Sequence, residues 1–195
     1  MRHFILSILL LAGSLPAAAE TAIAHFAGGC FWCMESDFEG REGIVNVVSG
    51  FTGGTMKNPT YSGKHDGHFE AIEVTYDPAL VSYQQLLDIF WVNIDPFDNR
   101  GQFCDKGFSY RSAIFPANAT EKALADKSLS KVAERFKGQQ VYTEIRAAGA
   151  FWPVEKFHQN YAARNPVRYN YYRWSCGRDQ RLEAIWGDDS GAGHH

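Results

Sequence analysis

The stretch that most constrains this chain is the change of period between residues 22 and 40. Ala22-Ile-Ala-His-Phe-Ala27 reads as a short strand, Gly28 and Gly29 interrupt it, and a helix can begin at Cys30 or Phe31 and run to near Gly40. A strand that passes into a helix across two glycines opens a layered α/β arrangement, and here it sets a thiol at the helix start. Backbone N–H groups point outward at such a place and favour an anion, so the position suits a reactive thiolate. The glycines leave room for a substrate or a loop close to the sulfur. Glu35 and Asp37 read as acids set early in that helix.

The rest of the chain continues the alternation. Residues 44–51 are β-rich and end at Thr52-Gly53-Gly54, and a loop of turn formers fills 55–67. Residues 68–76 alternate, with His68, Glu70, Ile72, Val74 and Tyr76 on one face and Phe69, Ala71, Glu73 and Thr75 on the other. Ser82 with Gln85 forms a capping box that opens a helix over 83–92. A polar loop over 95–107, a strand over 109–115, a helix over 120–136 and a strand over 141–145 follow. Phe151-Trp152-Pro153 reads as the start of another helix that Asn165-Pro166 ends, and from Val167 onward the aromatic tail shows no period. The order β-α-β-β-α-β predicts an α+β fold of the ferredoxin-like kind, a two-layer sandwich with additional helices and an irregular C-terminal tail.

Disorder is excluded for most of the chain, because 14 Phe, 9 Tyr and 5 Trp among 195 residues supply too much apolar surface. The net charge of −3 offers no basic excess, so nucleic acid is not an expected partner. Residues 1–19 stand apart: Arg2 and His3, an apolar run from Phe4 to Ala12, then Pro16 and Ala17-Ala18-Ala19. This is the pattern of a cleaved signal peptide, too short for a membrane span of about 20 residues. The mature protein is then expected to begin at Glu20 and to be exported, into the periplasm if the source is a Gram-negative bacterium. One domain is expected over 20–187, with 188–195 a disordered end or a cloning remnant.

Cys30 and Cys33 form a C-x-x-C pair one helical turn apart. That spacing alone is compatible with a redox couple, half of a metal site or two buried small apolar residues. Phe31 and Trp32 between them are either core residues or an apolar cup for a methyl-sized group. Glu70 shares a strand face with Ile72 and Val74; pointing inward it would be a carboxyl with its neutral form favoured, able to act as an acid. At the exposed start of the strand it would be an ordinary surface acid. Tyr61 and Tyr110 are further hydroxyl donors.

Taken together, these motifs resemble one family. Gly28-Gly29-Cys30-Phe31-Trp32-Cys33-Met34-Glu35 is similar to the active-site signature of the A-type peptide methionine sulfoxide reductases. Gly50-Phe51-Thr52-Gly53-Gly54, Asn58-Pro59-Thr60-Tyr61, Gly67-His68-Phe69-Glu70-Ala71 and the run from Asp105 through Tyr110 to Ile114 follow in the family's order. The resemblance spans about Ala22 to Gly187. It implies reduction of the S epimer of methionine sulfoxide, free or in proteins. Cys30 would be the nucleophile, Glu70 the acid, Tyr61 and Tyr110 assisting donors, Asp105 a further polar site residue, and Phe31 and Trp32 the methyl pocket. Cys30 would then become a sulfenic acid that condenses with a second thiol. The family commonly resolves this intermediate with a C-terminal cysteine, here Cys176; Cys33, where many relatives have Gly, is the competitor, and Cys104 is a bystander or relay.

No metal or organic cofactor is implied, only an external thiol reductant of the thioredoxin kind, and the mature chain is expected to be monomeric and free of the membrane. Two other classes share the C-x-x-C at a helix start: soft-metal carrier modules and thioredoxin-like disulfide oxidoreductases. The metal carriers leave Glu70, Tyr61 and Tyr110 without a role, and the order of elements argues against the oxidoreductases.

Overall fold

A computed structural model describes residues 20–193; the proposed leader and the final two histidines lie outside the described residues. In chain order the elements are β1 (Ala22–Gly28), α1 (Phe31–Phe38), β2 (Ile44–Thr52), β3 (Phe69–Tyr76), α2 (Tyr83–Val92), β4 (Gly101–Gln102), β5 (Asp105–Lys106) and β6 (Ser112–Phe115). They continue as α3 (Ala119–Arg135), β7 (Glu144–Ile145), β8 (Trp152–Pro153), α4 (Tyr161–Arg164), α5 (Pro166–Ser175) and α6 (Arg178–Trp186).

The main sheet runs β7-β6-β1-β3-β2-β8. Its inner four strands are all antiparallel neighbours in the order β6-β1-β3-β2, as the ferredoxin-like pattern requires. One face carries the main core: Phe26, Ile72 and Val74 from the sheet meet Met34 and Phe38 of α1 and Leu86 and Phe90 of α2. On the other face Ala27, Phe69, Ala71, Ala113 and Phe115 pack beneath Phe151. The alternation of β3 therefore divides its side chains between two apolar layers, and Glu70 falls on the face covered by helices. The capping box at Ser82 is present, with the Ser82 hydroxyl accepting from the Gln85 N–H and the Gln85 side chain accepting from the Ser82 N–H.

The C-terminal third departs from expectation. Trp152 and Pro153 do not start a helix; they form an edge strand against Phe51 and Gly50. Proline is tolerated there because an edge strand need not donate on its outer side. A side chain at residue 50 would sit 2.4 Å from the Trp152 carbonyl oxygen, which is why the strand has glycine at that point. Pro166 opens a helix where it was expected to close one, since its missing N–H is no loss at the first helical position. The aromatic tail is then two helices, α5 and α6, joined at Gly177 in the left-handed conformation. Beyond residue 187, expected to be disordered, a 3₁₀ turn spans Gly187–Asp189 and the Gly191 N–H donates to the Val92 carbonyl. No helix among the described residues is long and apolar enough to cross a membrane.

Phe26 is the centre of the main layer, its ring 5.5 Å from that of Phe38 and 5.3 Å from that of Phe90. Phe26→Ala is expected to cost about 3–5 kcal/mol. In urea unfolding the midpoint should fall with the slope unchanged; a midpoint within error of the parent would contradict this packing.

Candidate active site

The β1–α1 junction holds the two free thiols. Gly29 takes φ +90°, and a β-carbon there would lie 2.6 Å from the Gln102 side chain. At Gly28 a β-carbon would lie 2.4 Å from the Met34 sulfur. The two glycines therefore admit the β4 loop and the helix itself against the junction. Cys30 is the N-cap of α1, and its carbonyl accepts the N–H groups of Cys33 and Met34. Cys30 and Cys33 are both reduced and buried, at 6% and 2% exposure. Their sulfurs are hydrogen-bonded to one another, which holds Cys33 down to about 7, with Arg178 and Arg173 adding to the effect. Burial pushes the Cys30 thiol up, and the neighbouring Cys33 and Glu70 push in the same direction.

Glu70 is inside the protein, at 1% exposure, and is not a surface acid. Its Oε2 accepts the Phe31 N–H at 3.1 Å, at the free start of α1. Burial raises its carboxyl to about 8, against the hydrogen bonds from Phe31 and Tyr110. It is therefore a neutral acid at neutral pH, held against the residue that follows Cys30. The phenols of Tyr61 and Tyr110 are likewise pushed up by burial and by Glu70, so both remain hydrogen-bond donors. Around them lies an aromatic wall. Trp32 stacks on Tyr161 with centroids 3.8 Å apart and donates from Nε1 to His158 Nδ1, while Phe31 packs against Phe51, Tyr61 and His158. Phe31 is 1% exposed, so it backs the cup, and the half-buried Trp32 and exposed Tyr61 form its rim.

The second helical layer of the site comes from α5 and α6. Asp37, expected as an early helix acid, is buried and takes Arg173 Nη1 at 2.9 Å and Arg178 Nη2 at 3.0 Å. Glu35 is buried too, accepting from Ser49 Oγ and from the Asn160 N–H. Neither serves the helix dipole from the surface. On α5, Tyr169 and Tyr172 pack against the thiols. The Tyr172 hydroxyl is hydrogen-bonded to the Cys30 sulfur and donates to Asp105 Oδ2 at 2.5 Å.

Cys176 caps the C-terminal end of α5 and is joined in a disulfide to Cys104, in the β4–β5 turn. Cys104 is thus no bystander, and the state captured here pairs Cys176 with it and not with Cys30. The only cluster of metal-ligand type among the described residues is Cys104, Asp105 and Cys176, whose two sulfurs are already bonded to each other.

The structure gathers Cys30, Cys33, Glu70, Tyr61, Tyr110, Asp105, Phe31 and Trp32 into one region. Sequence reasoning missed Tyr172, Tyr161 and His158. For Tyr172 a signal existed: Tyr169, Tyr172, Arg173 and Cys176 follow the 0, 3, 4, 7 spacing of one helix face.

A ferredoxin-like α+β frame that carries two touching buried thiols at a helix start, beside a neutral carboxyl, defines a thiol-dependent oxidoreductase. Comparison with known proteins agrees. Residues 22–190 match the family model described as peptide methionine sulfoxide reductase. The chain is 46% identical over 189 residues to a peptide methionine sulfoxide reductase MsrA 2 of Caulobacter vibrioides, covering 94% of this chain and 96% of that one. Among solved structures it is similar to methionine sulfoxide reductase A of Corynebacterium diphtheriae, at TM-score 0.71 and 30% identity over 80% of each chain. Reduced Mxr1 from Saccharomyces cerevisiae is similar at TM-score 0.68 and 27% identity, over 77% of this chain and 88% of that one. The chain belongs to the peptide methionine sulfoxide reductase family, in its A-type branch.

The Glu70 carboxyl gives a pH signature. It binds its proton more tightly folded (about 8) than at its ordinary value of 4.5. Its contribution to stability is therefore complete below about 4.5 and is lost as pH rises toward 8. Glu70→Gln carries no such proton, so the variant should gain stability relative to the parent across that window in urea unfolding. A difference that stays constant with pH would rule the buried neutral carboxyl out.

Proposed function

We propose that this protein reduces the S epimer of methionine sulfoxide to methionine, in oxidised proteins and in the free amino acid. The observation that carries the reading is the convergence on Cys30 of a neutral Glu70 and two phenols beside an aromatic cup. A sulfoxide sulfur is a poor electrophile until its oxygen is protonated or strongly hydrogen-bonded, so a nucleophile and oxygen-directed donors must act together. The Cys30 thiolate attacks the sulfur while Glu70 gives its proton to the oxygen, with Tyr61 and Tyr110 as donors. Methionine leaves reduced by two electrons, and Cys30 retains the oxygen as a sulfenic acid. The cup of Trp32 and Phe31 takes the S-methyl group, and its handedness selects the epimer.

Cys33 is proposed as the resolving thiol. It supports that role by touching Cys30 and by ionising near neutrality, whereas Cys176 is engaged by Cys104. Cys33 attacks the Cys30 sulfur, water leaves, and a Cys30–Cys33 disulfide forms. An external dithiol must then return two electrons; in an oxidising compartment that reductant has to be a dedicated protein of the thioredoxin kind. Export itself is proposed on the character of residues 1–19. Amino-terminal sequencing of protein secreted by its host should begin at Glu20, and a retained Met1 in the mature protein would end that reading.

The deciding experiment is a single turnover without reductant. Reduced protein mixed with S or R methionine sulfoxide should give about one methionine per chain from the S epimer alone, with two thiols lost. No methionine from either epimer would overturn the function. Glu70→Gln should slow this turnover by about 10²–10⁴-fold. Cys33→Ser should strand Cys30 as a sulfenic acid open to trapping; if Cys176→Ser strands it instead, Cys176 is the resolver.

A further inference from the structure

We infer that Tyr172 is a further catalytic residue, a relay that carries the Cys30 thiol proton to Asp105. The inference rests on the reductase reading only for the use to which the thiolate is put.

Cys30 has to lose a proton inside the protein. The groups that face it are Cys33 from its own helix, Glu70 from β3, Tyr161 from α4 and Tyr169 and Tyr172 from α5, with Tyr61 and Tyr110 from the segments between strands. None of these is a cation. Glu70 must hold its own proton for the sulfoxide oxygen and is tied to the Phe31 N–H, so it is a poor acceptor for a second one. Cys33 could take the proton, but it would then have to lose it again before resolving the sulfenic acid. Asp105 is the next carboxylate, and the Tyr172 hydroxyl that meets the Cys30 sulfur is hydrogen-bonded to it.

The geometry of the relay is on one line of contacts. The Tyr172 hydroxyl touches the Cys30 sulfur on one side and lies 2.5 Å from Asp105 Oδ2 on the other. A phenol has one proton, so two arrangements with the same total are available. In the first, Cys30 is a thiol and Tyr172 donates to the Asp105 carboxylate. In the second, the S–H bond has broken and its proton sits on the Tyr172 oxygen. The phenol's former proton has formed an O–H bond on Asp105. Tyr172 then donates to a thiolate and accepts from a carboxylic acid. No electrons change hands, and Tyr172 is neutral in both states.

Two features suit Asp105 to the task. Burial raises its carboxyl, while Tyr172, Arg178 and Lys106 hold the rise in check. It is half-buried, which leaves a route from its second oxygen to water. The Cys104–Cys176 bridge then fixes the distance: Asp105 follows Cys104 directly, and Cys176 stands one helical turn beyond Tyr172.

The test measures Cys30 by itself. In the full-length Cys33→Ser protein, with the bridge intact, the rate of iodoacetamide alkylation of the Cys30 peptide is followed by mass mapping across about pH 5–10. An internal transfer keeps the thiolate fraction independent of pH, so the rate should show a shelf through neutrality before its final rise. Asp105→Asn, which is isosteric, and Tyr172→Phe should each abolish the shelf, so that the rate falls about tenfold per pH unit there. Simple electrostatics predicts the opposite for Asp105→Asn, because removing a nearby negative charge lowers a thiol's pKa. A faster or unchanged rate at neutral pH in Asp105→Asn, or a shelf that survives Tyr172→Phe, overturns the relay. No sulfoxide is present, so failure of the single turnover and failure of the relay are separate results.

Discussion

Asp37 is the constraint on which the site depends. Its carboxylate is fully enclosed and bridges Arg173 and Arg178, both about as buried as it is. Taking three charges out of water costs several kcal/mol per ion, and their attraction offsets this only when the remaining donors are also used. They are used widely: Arg173 also meets Asp179 and the Tyr169 hydroxyl, and Arg178 reaches the Gly28 and Asn93 carbonyls. The same two arginines therefore tie the end of β1, the end of α1, the end of α2 and both C-terminal helices into one geometry. Removing Asp37 would take from the buried Arg178 the carboxylate it pairs with and from Arg173 one of its two, which is why this network specifies position more than it adds stability.

The network also sorts the titratable groups. Asp37 lies between two cations, whereas Glu70, on the same helix-covered face of the sheet region, has only a backbone N–H and a phenol and is driven to about 8. The thiols divide similarly: the arginines act on Cys33, while Cys30 faces carboxyls and phenols. Pairs of like groups pushed apart by their surroundings are what separates acid from base, and resolving thiol from attacking thiol, in one small cavity.

Much of this was legible in the sequence, and for identifiable reasons. The inner four strands were readable because β3 alternates strictly and because Gly28-Gly29 punctuates the first strand. Local capping chemistry at Ser82 and Gln85 was sufficient to place α2. The inward orientation of Glu70 was left open by periodicity, because both Phe69 and Glu70 are buried and only the packed helix decides between them. The C-terminal third was misread where tertiary context overrides local rules: Pro153 sits on a sheet edge, and Pro166 begins a helix whose buried face mixes tyrosines with an arginine. A helix that buries Tyr169 and Arg173 has no apolar stripe to detect. The partner of Cys104 could not be deduced, since four cysteines permit three pairings.

The long reach of the arginine pair has one more consequence. Arg173 and Arg178 stand 136 and 141 residues after the acid they hold. A ribosome, or a channel that passes the chain as a thread, releases the C-x-x-C motif early and the arginines almost last. Throughout that interval Asp37 lacks its two arginines, α1 has only the sheet and α2 to dock against, and Tyr169 and Tyr172 are missing from the thiols. A chain cut short before α5 thus carries the full reactive motif without the surroundings that give each thiol its character. Chemical competence is in this way made contingent on a finished molecule.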